Sequence, residues 1–308
     1  MVMSNARIAK SCKPDFFQID NEIKNIAKKK EVMIMPSSEA WETLEWTKQY
    51  FKSKPKGGYF IWVKEQVDFP LSTCINIASG NIEQDLQNLM IVEKGIKAKA
   101  NVLCASLKNN LSGTHKARGR LILKEGSSLE YNHVHKWGEK DNVMPDYEFI
   151  LEKGSSLIYN YTNLFPPKNL EIKNRIVCLD NSYSQLNFSV NGINSRIDIN
   201  EEVVLEGKDS QNVSRLRLVG RKNSNINAYS SIIAKDKSKG HIECNSLMVD
   251  KESKIVSIPK LDCESRDAQL THEASIGRVS EEQLNYLRSR GLTEKEAIDL
   301  VITGFLKI

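Results

Sequence analysis

The sequence predicts a mainly β fold wound as a β-helix, with helical segments at both ends. Three observations predict it. Apolar residues alternate with period two through the middle of the chain, small polar turns recur about every 14 residues there, and helical spacing appears only near the termini. The chain divides accordingly into an N-terminal helical segment over 1–60, a β-helix core over 61–276 and a C-terminal helical hairpin over 277–308.

The N-terminal segment starts from Phe16, Ile19, Ile23, Ile26 and Ala27, whose spacing predicts a helix over Asp15–Lys30 behind Pro14. A second helix is expected from about Ser38, carrying Trp41, Leu44 and Tyr50 and ending before Pro55-Lys56-Gly57-Gly58. The run Lys28-Lys29-Lys30 reads as a solvated helix end.

From about Tyr59 the spacing changes. Ile96, Ala98, Ala100, Val102 and Cys104 alternate, as do Leu121 with Leu123, Ile197 with Ile199, and Leu216 with Leu218. Turn serines fall at Ser182, Ser195, Ser210, Ser224, Ser238 and Ser253, with gaps of 13, 15, 14, 14 and 15. Lys124 to Asn132 (KEGSSLEYN) returns as Glu152 to Asn160 (EKGSSLIYN), an offset of 28. Such a cadence describes a solenoid or a sandwich. A sandwich joins its strands by tight Asn-Gly or Asp-Gly hairpins, and Asn191-Gly192 is the one such dipeptide. That favours the β-helix, with inward apolar residues stacked from coil to coil and serine-rich corners facing water.

The segment over 277–308 carries two helix-start signals, Ser280-Glu281-Glu282-Gln283 and Thr293-Glu294-Lys295-Glu296, each reading as a capping box. The first helix should stop at Gly291. The second presents Ala297, Ile298, Leu300, Val301 and Phe305 as an apolar face. Its acidic start argues against DNA reading, so packing or docking a protein is the expected use.

Composition excludes several classes. Charged residues make up 27% and apolar ones 40%, and the net charge of +5 (44 basic, 39 acidic) is too small to argue for nucleic acid. No apolar run is long enough to cross a bilayer, and the opening MVMSNARIAKSCKPDFF lacks a signal-peptide core, so no membrane and a cytoplasmic location are expected. None of the six cysteines (Cys12, Cys74, Cys104, Cys178, Cys244, Cys263) lies in a CxxC pair. There is no GxxxxGK[ST] loop, GxGxxG, HExxH or GxSxG, so no ATPase or hydrolase is expected from a motif. A β-helical carbohydrate-active enzyme would need carboxylates recurring at the coil period, which the sequence lacks.

The densest ligand cluster lies in Gly240–Gly277, with Cys244, Cys263, His272 and Glu273, and His241 and Glu243 beside them. Thiolate, imidazole and carboxylate together suit iron. The long spacings require a fold that stacks consecutive coils. The bland reading, a buried cysteine and a surface His-Glu pair, stays open, because adjacent His272 and Glu273 point to opposite faces of a straight strand.

Residues Gly240 to Phe305 resemble the C-terminal region shared by SufB and SufD, scaffold proteins of iron–sulfur cluster assembly. The matching pieces are Ile242-Glu243-Cys244-Asn245-Ser246-Leu247-Met248, Ile258-Pro259, His272-Glu273-Ala274, Gly277-Arg278, Gln283-Leu284, Tyr286-Leu287-Arg288-Ser289-Arg290-Gly291, Glu296-Ala297 and Gly304-Phe305. Tyr131 to Gly138 (YNHVHKWG), with its preceding EGSSL turn, extends the likeness towards residue 95. The resemblance implies a right-handed parallel β-helix between terminal helices and a scaffold without its own ATPase. It implies a transient iron–sulfur cluster, a SufC-type ABC ATPase docked on the C-terminal helices as the only route to ATP, and apo iron–sulfur proteins as recipients. It carries cluster-assembly roles to Cys244 and Glu273, at an offset of 29, an interface position to His272 and a sulfur relay to Cys104. Cys263 stands as an additional ligand. Ala105-Ser106-Leu107 depart from the family's pattern after Cys104. The Tyr-Leu-Arg-Ser-Arg-Gly stretch looks like SufD while Cys244 and Glu273 look like SufB, which implies a homodimer in place of a mixed pair, with a heterodimer with a paralogue as the alternative. The rival reading is a SufD-like structural partner that binds no cluster.

Overall fold

A computed structural model describes residues 14–307, which leaves Cys12 outside the described residues. Strands β1 (Phe16–Ile19), β2 (Glu22–Ile26) and β3 (Val32–Pro36) come first, then α1 (Ser37–Thr43) and a 3-10 helix over Glu45–Tyr50. The coils are built by β4 (Tyr59–Val63), β5 (Leu71–Ile77), β6 (Glu83–Val92), β7 (Lys97–Ser106), β8 (Thr114–Leu123), β9 (Ser128–Lys136), β10 (Asn142–Leu151) and β11 (Ser156–Phe165). They continue through β12 (Asn169–Cys178), β13 (Tyr183–Ile193), β14 (Arg196–Leu205), β15 (Ser210–Arg221), β16 (Asn225–Ala234), β17 (Ser238–Met248), β18 (Lys254–Cys263) and β19 (Gln269–Arg278). Helices α2 (Glu281–Ser289) and α3 (Glu294–Leu306) close the described chain.

From β4 onward, successive strands alternate between two sheets. Odd-numbered strands, with β2 added at the edge, stack in one in the order β19-β17-β15-β13-β11-β9-β7-β5-β1-β2; even-numbered ones, with β3 added at the edge, stack in the other as β18-β16-β14-β12-β10-β8-β6-β4-β3. Each strand from β5 to β17 lies parallel between the strands two before and two after it, apart from β5 itself, which meets β1. This is a β-solenoid of about eight turns. A parallel pair needs a long crossover, and here the crossover is the strand of the opposite sheet. Between β4 and β19 the offset between register partners runs from 27 (Asn142 with Asn169) to 31 (Lys97 with Ser128). The repeat at an offset of 28 is one coil, with Ser128 paired to Ser156 and Asn132 to Asn160.

Period-two burial fills the space between the sheets. Along β10 burial alternates without a break, and the same core runs from Phe16 to Ile255. The corners depart from expectation. Ser182, Ser195, Ser210, Ser224, Ser238 and Ser253 are all buried, not turned to water. Gly126, Gly154, Asn181 and Asp209 at successive corners take left-handed φ of 66°, 66°, 55° and 57°. Each sends its amide to a carbonyl of the next coil, and after Gly154, Asn181 and Asp209 the following serine folds back. The Ser155, Ser182 and Ser210 hydroxyls donate to the carbonyls of Glu152, Leu179 and Gly207 at 2.6–2.7 Å. Small hydroxyls are selected because a buried corner carbonyl must find a donor.

The expected helix over Asp15–Lys30 is instead an antiparallel hairpin of β1 and β2. Its turn is at Asp20, with φ of 52°, whose carboxylate accepts the Ala78 and Ser79 amides. Phe16 and Gln18 alternate inward, and pairing with the β5 edge overrides the helical spacing. The second helix is present as α1 and the 3-10 helix, packed through Ala40 and Phe51 on Phe60, Leu89 and Ile91. Thr293 and Glu296 form the expected reciprocal cap of α3. Ser280 occupies the N-cap of α2, but its hydroxyl makes no capping bond.

Candidate functional site

Two groups of ligand-bearing side chains stand out, one sealed in the interior and one at the last coil. The interior group comes from neighbouring rungs. Cys104 on β7 is the register partner of His135 on β9, and Val102 that of His133. All three ligand-bearing residues point inward and are buried. Cys104 Sγ, His133 and His135 offer ligand atoms that all lie within 4.8 Å of one another. Cys104 Sγ is 3.5 Å from His133 Nε2, and the two Nε2 atoms are 2.9 Å apart. On the next rung Tyr161 Oη lies 2.8 Å from His135 Nδ1, and Tyr159 Oη 3.4 Å from His133 Nδ1. Burial pushes the Cys104 thiol far up, so it stays protonated. Burial, and the neighbouring His115, hold His133 down at about 3, and His135 is likewise held well below the usual range. Both rings are therefore neutral, the form that ligates metals.

The second group sits where the solenoid stops. On β17, Ile242 and Cys244 face inward and are buried; their partners on β19 are His272 and Ala274, which face the same way but are exposed because no further coil covers them. Cys263 on β18 pairs with buried Ala234 and lies exposed at the same open end. Ser257 donates to Cys244 Sγ at 2.8 Å. Burial raises the Cys244 thiol, and the Glu201 charge adds to the rise while the Ser257 bond opposes it. Glu201, buried on β14, is pushed up to about 7 by burial despite accepting from Ser214 Oγ at 3.0 Å.

Glu273 does not join Cys244. It pairs with Glu243 and points to the outer face, 4.0 Å from His241 Nε2. Glu243 is held there by Arg215 at 3.2 Å, Arg217 at 3.4 Å and Asn245 at 2.7 Å. Cys104 is also apart, since β7 and β17 are separated by five rung steps, about 24 Å at ~4.8 Å per step. The open end thus brings Cys244 and His272 to one inward face, turns Glu273 away, and leaves Cys263 at the far end of β18, six residues beyond the Ser257 that bonds Cys244, about 20 Å at ~3.3 Å per residue. His133 and His135 carried no site role in the sequence reading. Their signal was present, because His-x-His in a strand puts both rings on one face and Cys104 precedes them by about one coil.

Comparison with known proteins places these groups in context. The family model described as the SufBD core domain of SUF-system FeS cluster assembly matches residues 76–305. An iron-sulfur cluster assembly SufBD family protein of Methanothermobacter thermautotrophicus is 28% identical over 257 residues, covering 82% of this chain and 63% of that protein. One from Archaeoglobus fulgidus is 28% identical over 323 aligned positions, covering 95% and 84%. One from Staphylococcus aureus is 25% identical over 258, covering 82% and 55%. The chain thus spans under two thirds of the length of the Methanothermobacter and Staphylococcus relatives.

Proposed function

The chain belongs to the SufBD family of iron–sulfur cluster assembly proteins, and from that premise we propose that it is a scaffold on which a cluster is built as cargo at the open end of the solenoid. The observation that carries this is the shared inward face of Cys244 and His272 on the last two rungs, with no coil above them among the described residues. A thiol and an imidazole on one face suit iron and sulfide. A set short of four rigid thiolates suits a cluster that must be handed to apo-proteins. Burial that keeps Cys244 protonated at rest means the thiolate forms on binding iron, with release of a proton.

The open end also supports a homodimer. β19 is an unpaired edge, Ile276 on its inward side is 46% exposed, and Val256, Ile258 and Tyr229 are exposed on the outer face of the opposite sheet. A second copy meeting this end would cover these groups and complete the ligand set. α2 buries no residue, and Tyr286 and Leu300 are 59% and 51% exposed on the helical hairpin, a surface suited to docking a SufC-type ABC ATPase. Work by that ATPase would shift the dimer between two arrangements of the site. No helix among the described residues is long and apolar enough to cross a membrane. The compartment proposed for this work is the cytoplasm, whose reducing poise keeps thiols such as Cys244 and Cys263 free for iron. A sulfur relay through Cys104 is not part of this proposal, since its thiol is sealed in the interior five rungs from Cys244.

A second reading, a SufD-like structural partner, is favoured by one observation: Glu273 and Cys244 lie on opposite faces. Iron and acid-labile sulfide bound after anaerobic reconstitution, with and without the ATPase, separate the two. The scaffold binds both in a Cys244-dependent manner. A wild-type complex that takes up neither is the structural partner.

A further inference from the structure

We propose that the solenoid interior holds one divalent transition-metal ion of borderline softness, iron(II) or zinc(II), bound by Cys104 Sγ and the Nε2 atoms of His133 and His135. The site goes beyond the scaffold reading and does not depend on a cluster at Cys244.

The spacing matches such an ion. With bonds of about 2.3 Å to sulfur and 2.0–2.1 Å to nitrogen at tetrahedral angles, sulfur and nitrogen ligands stand about 3.5 Å apart and two nitrogens about 3.3 Å apart. The protein has 3.5 Å between Cys104 Sγ and His133 Nε2, and 2.9 Å between the two Nε2 atoms. The first pair already stands at ligand spacing, the second opens by a few tenths of an ångström, and the third, Cys104 with His135, stands within 4.8 Å and closes on the ion.

Proton placement favours the ion as well. An imidazole nitrogen has one lone pair, in the ring plane. If His133 Nε2 accepts from His135 Nε2–H, it cannot also accept the Cys104 thiol proton. If His133 carries the Nε2 proton instead, that single proton is shared between sulfur and nitrogen. Either way one of three buried polar groups is short of a partner. With an ion bound, Cys104 loses its proton, both Nε2 lone pairs point at the metal, and both Nδ1–H groups donate to Tyr161 Oη and Tyr159 Oη. Hydroxyls behind ligating imidazoles hold ring and tautomer in this way.

The surroundings supply a further lone pair. His115, on the opposite sheet, packs edge-on to His135 with ring centroids 6.4 Å apart. Its Nδ1 lies 2.7 Å from Gln84 Oε1, an acceptor, so Nδ1 carries the proton. Nε2 is left as a buried acceptor without a hydrogen-bond partner. Such an orphan beside two facing imidazoles is costly in an apolar core and natural next to a cation.

The test uses the full chain produced in cobalt-supplemented medium and purified anaerobically, with cobalt(II) as the probe. The proposal predicts one cobalt per chain, thiolate-to-cobalt charge-transfer absorption and the visible bands of a tetrahedral ion. In a Cys244→Ala, Cys263→Ala background, which takes the open-end thiols out of the readout, Cys104→Ser removes the charge-transfer absorption and Tyr161→Phe weakens retention about 10- to 100-fold against a chelator. Charge-transfer absorption that is absent from that background, or that survives Cys104→Ser within it, overturns the proposal. X-ray absorption on the unaltered protein needs no variant to fold. One sulfur with two imidazole nitrogens is expected, and an all-oxygen or multi-sulfur shell overturns the assignment. Protein from unsupplemented medium carries one equivalent of iron or zinc with the same dependence on Cys104, and a metal-free protein contradicts the site.

Discussion

Glu201 is a carboxyl group in the apolar interior, with Oε2 lacking any hydrogen-bond partner. Burial raises it from 4.5 to about 7, so the folded protein keeps a proton that the unfolded chain releases. That stabilisation is complete below pH 4.5 and is lost as pH rises through about 7. Glu201→Gln removes the dependence and should be more stable than wild type at pH 8 by about 3 kcal/mol, with near equality at pH 4.5. Urea midpoints at the two pH values check it, and a variant with the wild-type slope would contradict it. The buried histidines act in the opposite sense, adding stability above pH 6.5 that is lost as pH falls towards 3, and they cancel in this comparison. Residue spacing also explains what the sequence revealed of the sites. Cys104 to His133 is an offset of 29, and so is Cys244 to Glu273. At Cys104 the coil advances by 31, to His135, so an offset of 29 falls two positions from register and keeps the face. At Cys244 the coil advances by 30, to Ala274, so the same offset falls one position away and reverses it. Ligand types were legible, but parity depends on one inserted residue that composition and motif do not expose.

The stacked strand is the unit in which packing is set. Gly119 on β8 faces inward opposite Tyr147 on β10, and a Cβ at Gly119 would stand 2.2 Å from the Tyr147 ring. The missing side chain makes room for an aromatic stack that continues through Tyr131, Phe149 and Tyr159 to Phe188. Gly119→Ala should cost roughly 1–3 kcal/mol by overpacking, read as a lowered denaturant midpoint at unchanged slope. An unaltered midpoint would show that the ring can move aside. On the outer face Asn101, Asn132, Asn160 and Asn187 form a ladder of amide bonds at 2.8–3.0 Å, so rungs are tied on both sides of the sheet. These elements were legible because a solenoid repeats its chemistry each coil: the alternation and the turn cadence both follow from stacking. The β1–β2 hairpin was not legible, because Phe16, Ile19, Ile23 and Ile26 keep helical spacing across a turn. Only the distant β5 edge decides for strand. The corner serines were legible as turns but not as buried, since their burial comes from carbonyls that the next coil encloses.

At the scale of the molecule the two ends differ. β2, β3, α1 and the 3-10 helix flank the first coil, whereas β18 and β19 leave Leu270, His272, Ala274 and Ile276 without a coil above them. An uncovered edge and apolar end are normally blunted or paired, and the account pairs them with a second copy. On the proposed homodimer, light scattering should find wild type as a dimer and Ile276→Lys as a monomer, while thermal unfolding stays within a few degrees of wild type. A dimer that survives would place the interface elsewhere. The solenoid itself and its terminal helices were legible from cadence; the absence of a cap was not, because the sequence of β19 alternates like any other strand. The most direct test of the scaffold account is the Mössbauer spectrum of the protein, loaded anaerobically with iron-57 and sulfide in the presence of a SufC-type ATPase. The account predicts a cluster signal in the wild type and in Cys104→Ser, and its loss in Cys244→Ala. A cluster that forms equally well in Cys244→Ala would contradict the account.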